Sequence, residues 1–155
     1  MWRKIKPYVI GIAIAMGVGV LSAIFTKGNM DVYENINKPP LSPPGAVFPV
    51  VWTILFILMG ISSGIIYEKG KGIYAEAFKA YALQLVLNFF WSIIFFNLKT
   101  YFFAFLWLLI LLAVIAVMIY RFYRISPLAA YLQIPYFLWV LFAGYLNFMI
   151  FVLNI

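Results

Sequence analysis

The sequence contains no cysteine and no histidine, and it has only four acidic residues against eleven lysines and arginines. Without cysteine there is no disulfide, no thiolate nucleophile and no Fe–S cluster. Without histidine the usual general base, the commonest metal ligand and the usual haem axial ligand are missing together. The remaining polar residues supply neither a carboxylate pair nor a nucleophile activated by a base. No conventional catalytic constellation, metal site or resident cofactor is therefore expected. Charge of either sign is scarce, at 10% of 155 residues, where a soluble domain carries about 25%. The net charge of +7 is dispersed rather than clustered. That pattern fits the flanks of membrane spans and not a nucleic-acid surface.

What fills the chain is apolar: 67% of the residues are hydrophobic and 21% aromatic. Uncharged runs cover Pro7–Thr26, Pro39–Tyr67, Ala80–Leu98, Thr100–Tyr120 and Ile125–Ile155. A helix needs about 20 apolar residues to cross a hydrocarbon core of about 30 Å, and each run supplies them. The expected fold is an all-α integral membrane bundle of five transmembrane helices, a single domain over residues 1–155. The spans are placed at 6–26, 46–68, 74–97, 100–122 and 127–153, with a long Pro-rich first loop at 27–46. The first run is read as a retained span, because Ser22-Ala23-Ile24 makes a poor signal-cleavage site. Five spans put Arg3, Lys4, Lys6, Lys69, Lys71, Lys79, Arg121 and Arg124 on one side, and only Lys27, Lys38 and Lys99 on the other. The positive-inside rule then places the N-terminus in the cytoplasm, with the C-terminus and the first loop outside.

Small residues mark close helix contacts in lipid. Gly60 and Gly64 form a GxxxG pair, and Gly11, Ala15 and Gly19 form a stripe on the first span. Either set can pack the bundle internally or join two copies. Pro127 suits the first turn of the last span, whereas Pro135 lies deep enough to predict a kink. The first loop contains Asn37-Lys38-Pro39-Pro40-Leu41-Ser42-Pro43-Pro44-Gly45, whose prolines stiffen it. It reads as a lid carrying Tyr33 or as a stiff linker.

Polar and aromatic residues inside the spans are the functional signal. Gln84, Asn88, Trp91, Ser92 and Phe95 share one face of the third span, and Pro135, Trp139, Ala143 and Asn147 form a stripe on the fifth. An amide turned to hydrocarbon costs several kcal/mol, so these faces point inward. Phe48, Trp52, Leu55, Phe56 and Met59 can form an aromatic and thioether wall on the second span. Trp52, Trp91 and Trp107 lie about 8–12 Å inside their spans, and Trp139 near the middle of its own, deeper than an interfacial belt. They can line a cavity for a flat apolar ligand or simply fill the core. The amides can serve the ligand or tie helices together.

Three segments carry a resemblance: KPPLSPPGAVFPVVWTILFILMG at 38–60, QLVLNFFWSIIFF at 84–96 and SPLAAYLQIPYFLWVLFAGYLNFMIFVLN at 126–154. Together they resemble the translocator protein family, also called tryptophan-rich sensory proteins or peripheral benzodiazepine receptors, in a bacterial member. The resemblance implies a five-helix bundle in the cell membrane, usually a homodimer. It also implies a pocket under the first loop that binds porphyrins, sterols and isoquinoline or benzodiazepine-type compounds. By the same resemblance Tyr33 matches the loop aromatic over the pocket, and Trp52 and Trp139 match the tryptophans associated with porphyrin binding and its light-dependent breakdown. Asn88 and Trp91 match the third-helix wall, and Ala143 matches an alanine whose enlargement alters ligand binding. Leu41 stands where a tryptophan is common, Trp107 where many members have an acid, and the C-terminal sterol motif of animal members is incomplete.

A physical mechanism follows. Trp52, Trp91, Trp107 and Trp139 can stack on a porphyrin plate with Phe56 in the ligand-binding wall, Asn88 and Asn147 can serve its polar atoms, and Lys27 or Lys38 can meet its carboxylates. With no histidine or cysteine, strong axial ligation of haem iron is hard to arrange, so metal-free porphyrin is expected to bind at least as well. A small-molecule transporter and a regulatory subunit of another membrane protein are the alternatives.

Overall fold

The computed structural model describes every residue except Ile73. Its elements are helical throughout the described residues: α1 (Trp2–Thr26), α2 (Val32–Asn35), α3 (Val47–Gly70), α4 (Ala75–Ser92), α5 (Tyr101–Ile125), α6 (Pro127–Leu132) and α7 (Ile134–Leu153). A short 3₁₀ turn at Lys27–Asn29 extends α1, and a wide π turn at Ile93–Asn97 extends α4. Five of the resulting rods are long and apolar enough to cross a membrane, the shortest at 23 residues, or roughly 35 Å at 1.5 Å per residue. Large aliphatic side chains such as Ile14, Val20, Leu21, Ile24, Leu109, Ile110 and Val117 are exposed. Water would penalise such a surface and a bilayer does not. This is an integral membrane protein.

Two boundaries differ from expectation. The first helix starts at Trp2, not at residue 6, because the amides of Lys4 and Ile5 bond to the Met1 carbonyl and carry the helix through Pro7. The last span is interrupted for one residue at Gln133, two residues before Pro135. Pro135 has no N–H for the preceding turn, so the chain closes α6 with Gln133 N–H on the Ala130 carbonyl (3.0 Å). It opens α7 with Phe137 N–H on the Gln133 carbonyl (3.1 Å).

The choice left open for the small residues is settled by the seam between α1 and α3. A Cβ added at Gly60 would overlap the backbone of Ile12, and one at Gly11 would lie 2.5 Å from the Gly60 carbonyl oxygen. Gly64 is covered by Tyr8. The stripe therefore packs the chain against itself, and the two backbones touch. α5 packs on α4 and α7, and α6 wedges between α3 and α5, where Ser62 donates to the Ala129 carbonyl (2.7 Å). Met59, Ile66, Leu111, Ile115, Met118 and Phe122 fill the half of the bundle away from the first loop and are almost wholly inaccessible. At the loop end the helices separate.

Candidate functional site: a capped aromatic cavity

Residues 27–46 are tied down at that end. Asn29 donates to Asn97 (2.8 Å), and Asn97 donates in turn to the Phe25 carbonyl (2.9 Å). Asn37 and Asn154 clasp each other twice. The Asn37 amide donates to Asn154 Oδ1 (3.0 Å), and Asn154 Nδ2 donates to the Asn37 carbonyl (2.9 Å). Tyr145 donates to the Pro40 carbonyl (2.9 Å). Within the loop the Tyr33 hydroxyl donates to the Pro43 carbonyl (2.6 Å). Burial, reinforced by the Glu34 charge, pushes that phenol above its ordinary pKa, so it stays a neutral donor.

Beneath this cap lies a cavity of about 470 Å³. Its wall is a sequence of rings. Tyr33 meets Phe48 edge-on at 4.9 Å, and Phe48 meets Trp139 at 5.7 Å. Trp52 stacks on Phe56 at 5.6 Å, and Trp91 stacks on Phe95 at 5.3 Å. Phe95 and Phe96, both within the π turn, also line the cavity. The face of α1 that carries Gly19 and Ala23 closes one side, and Ala143 leaves room on the opposite one.

Polar groups are few and mostly committed. The Trp91 indole N–H donates to Asn147 Oδ1 (3.0 Å), and Asn147 Nδ2 donates to the Tyr101 carbonyl (2.9 Å). At the floor, Asn88 Nδ2 donates to the Tyr136 hydroxyl (2.8 Å), which donates to Gln84 Oε1 (2.6 Å). Two donors on the wall, the Trp139 indole N–H and the Ser22 hydroxyl, are buried with no partner among the described residues. An unpaired buried donor costs about 1–3 kcal/mol, which a ligand acceptor would recover.

Of the residues expected at the site, Tyr33, Trp52, Phe56, Asn88, Trp91, Trp139, Ala143 and Asn147 all line this cavity. Trp107 does not. It sits between α4 and α5, with its N–H on the Leu87 carbonyl (2.8 Å) and its ring beside Phe90 and Phe103. No residue of α5 reaches the cavity, because α4 and α7 stand in front of it. Asn147 lines the wall and also fixes Trp91, its Oδ1 accepting the indole N–H while one Nδ2 hydrogen goes to the Tyr101 carbonyl. Neither Lys27 nor Lys38 is at the lining. Lys38 is turned onto the cap, donating to the Tyr33 carbonyl (2.8 Å). Leu55 and Met59 belong to the packed core, and Pro135 is exposed while Tyr136 takes the inward place.

Sequence reasoning missed Tyr136, Ser22, Glu34 and the Asn37–Asn154 clasp. The stripe Gly11, Ala15, Gly19, at four-residue spacing, continues to Ala23 and could have brought α1 to the wall. Nothing local marks Asn154, whose partner is 117 residues away.

A five-span membrane bundle with an aromatic cavity at its loop end is the class of protein this arrangement defines. The chain belongs to the TspO/MBR family, whose model matches residues 10–153. It is 36% identical to the tryptophan-rich protein TspO of Chlorobaculum tepidum, over 99% of both chains. It is 33% identical to a tryptophan-rich sensory protein of Cereibacter sphaeroides, over 75% of this chain and 72% of that one. Identity to the translocator protein of Bos taurus is 34%, over 84% and 79% of the two chains. Membership supports a membrane sensor or transporter role.

Proposed function

We propose that this protein is a membrane receptor that takes a flat aromatic ligand into the capped cavity, with metal-free porphyrin as the preferred class. Isoquinoline and benzodiazepine-like compounds are smaller ligands of the same site. The observation that carries the reading is the ring-lined space of about 470 Å³ roofed by Tyr33. Stacking on Trp52, Trp91 and Trp139 supplies the affinity. The unpaired Trp139 N–H and Ser22 hydroxyl supply orientation. By the same reading the protein sits in a bacterial cell membrane with the cap outside, as its basic residues favour, and acts as a homodimer. The α1–α3 seam is occupied within one chain, so the partner would dock elsewhere.

The test is a titration followed by quenching of tryptophan fluorescence. Metal-free protoporphyrin is expected to bind at least as tightly as haem, because no histidine or cysteine is available to the iron. Much tighter binding of haem, with a changed iron spectrum, would overturn the reading. Light-dependent porphyrin breakdown, in this reading, runs through the excited ligand with Trp52 and Trp139 as its electron or oxygen-reaction partners. The double variant Trp52→Phe, Trp139→Phe is expected to slow the decay of bound porphyrin under illumination. An unchanged decay rate would remove both tryptophans from that role.

A further inference from the structure

Five charged side chains belong to the loop end of the molecule: Lys27, Asp31, Glu34, Lys38 and Lys99. Only Glu34 lines the cavity. Lys38 is held on the cap, its ammonium 2.8 Å from the Tyr33 carbonyl, 3.4 Å from the Glu34 carbonyl and 5.0 Å above the Tyr33 ring. Asp31 and Lys99 border a separate, shallower depression with Asn35 and Tyr101. The Glu34 carboxylate makes no ion pair among the described residues; the pairs present join Glu76 to Lys79 and Arg121 at the far end. Its seat is provided by Gly45, where any added Cβ would fall on the carboxylate oxygen. The mouth thus presents a carboxylate without an ion-pair partner among the described residues, beside apolar rings and close against Gly45.

We infer that Glu34 sorts ligands by charge, disfavouring a plate whose mouth-facing edge carries carboxylates and favouring one whose edge is neutral or cationic. The inference rests on the porphyrin reading and adds a specificity-determining residue to it. The carboxylate is exposed, so its effect is moderate and weakens with salt. Protoporphyrin and its dimethyl ester, together with a planar amine-bearing dye, are titrated into the full chain and into Glu34→Gln in a neutral detergent. The substitution is expected to tighten the free diacid about three- to fivefold, to leave the ester unchanged and to weaken the dye. The diacid effect shrinks at high ionic strength, and Glu34→Lys enlarges it. Equal shifts for diacid and ester, or a diacid weakened by Glu34→Gln, would overturn the charge filter while leaving porphyrin binding intact. If neither porphyrin quenches either protein, the porphyrin reading fails and this inference fails with it.

Discussion

Gly60→Leu is expected to destabilise the bundle by about 3 kcal/mol or more, toward the upper end of what overpacking costs. The reason is the identity of the atoms in the way. A Cβ at residue 60 would overlap Ile12 backbone atoms, which cannot swing aside as a flexible side chain does. The same close approach holds Gly11 over the Gly60 carbonyl, which also accepts the Ser63 hydroxyl at 2.9 Å. Forcing α1 from α3 breaks this contact along the first membrane helix and opens one wall of the cavity. Gly17→Leu is the control, since a Cβ there meets nothing within 4 Å. Thermal melts in one detergent should show a large loss for Gly60→Leu and little change for Gly17→Leu. Equal melting temperatures would mean that the two helices do not touch as described.

Ala143→Phe should weaken binding of any plate-shaped ligand more than tenfold while leaving the fold intact. Ala143 is 7% exposed and faces the vacancy, so a phenyl ring there grows into the space a ligand needs. New apolar contacts with the ring wall offset part of any local strain. The informative comparison is Trp107→Phe. That indole lies behind α4, and its loss removes the hydrogen bond to the Leu87 carbonyl without touching the cavity. Affinity should fall with Ala143→Phe and hold with Trp107→Phe. The reverse pattern would place the ligand beside Trp107, between α4 and α5, and undo the site.

The five spans were legible because their signal is one-dimensional: charge is excluded from runs long enough to cross a bilayer. Most of the cavity wall was legible too, since Asn88 and Trp91, and Trp139, Ala143 and Asn147, recur at helical spacing on faces that lipid would penalise. Depth, however, is not direction. Trp107 lies as deep as Trp52, yet it points to a neighbouring helix, and only the packing of α5 decides that. Hydrogen-bond allegiance is equally hidden. Nothing in the sequence shows that Asn147, besides lining the wall, ties Trp91 to the Tyr101 carbonyl. Lys38 likewise reads as a mouth cation until the cap carbonyls claim it. The clasp between Asn37 and Asn154 joins residues with no local pattern at all.

The plugged lower half of the molecule gives the cavity a sidedness that bulk experiments can count. In vesicles where the protein inserts in both directions, a ligand unable to cross the bilayer reaches only those copies whose roof faces the medium. Dissolving the vesicles with detergent releases the hidden remainder, so the rise in bound ligand measures how the population was oriented.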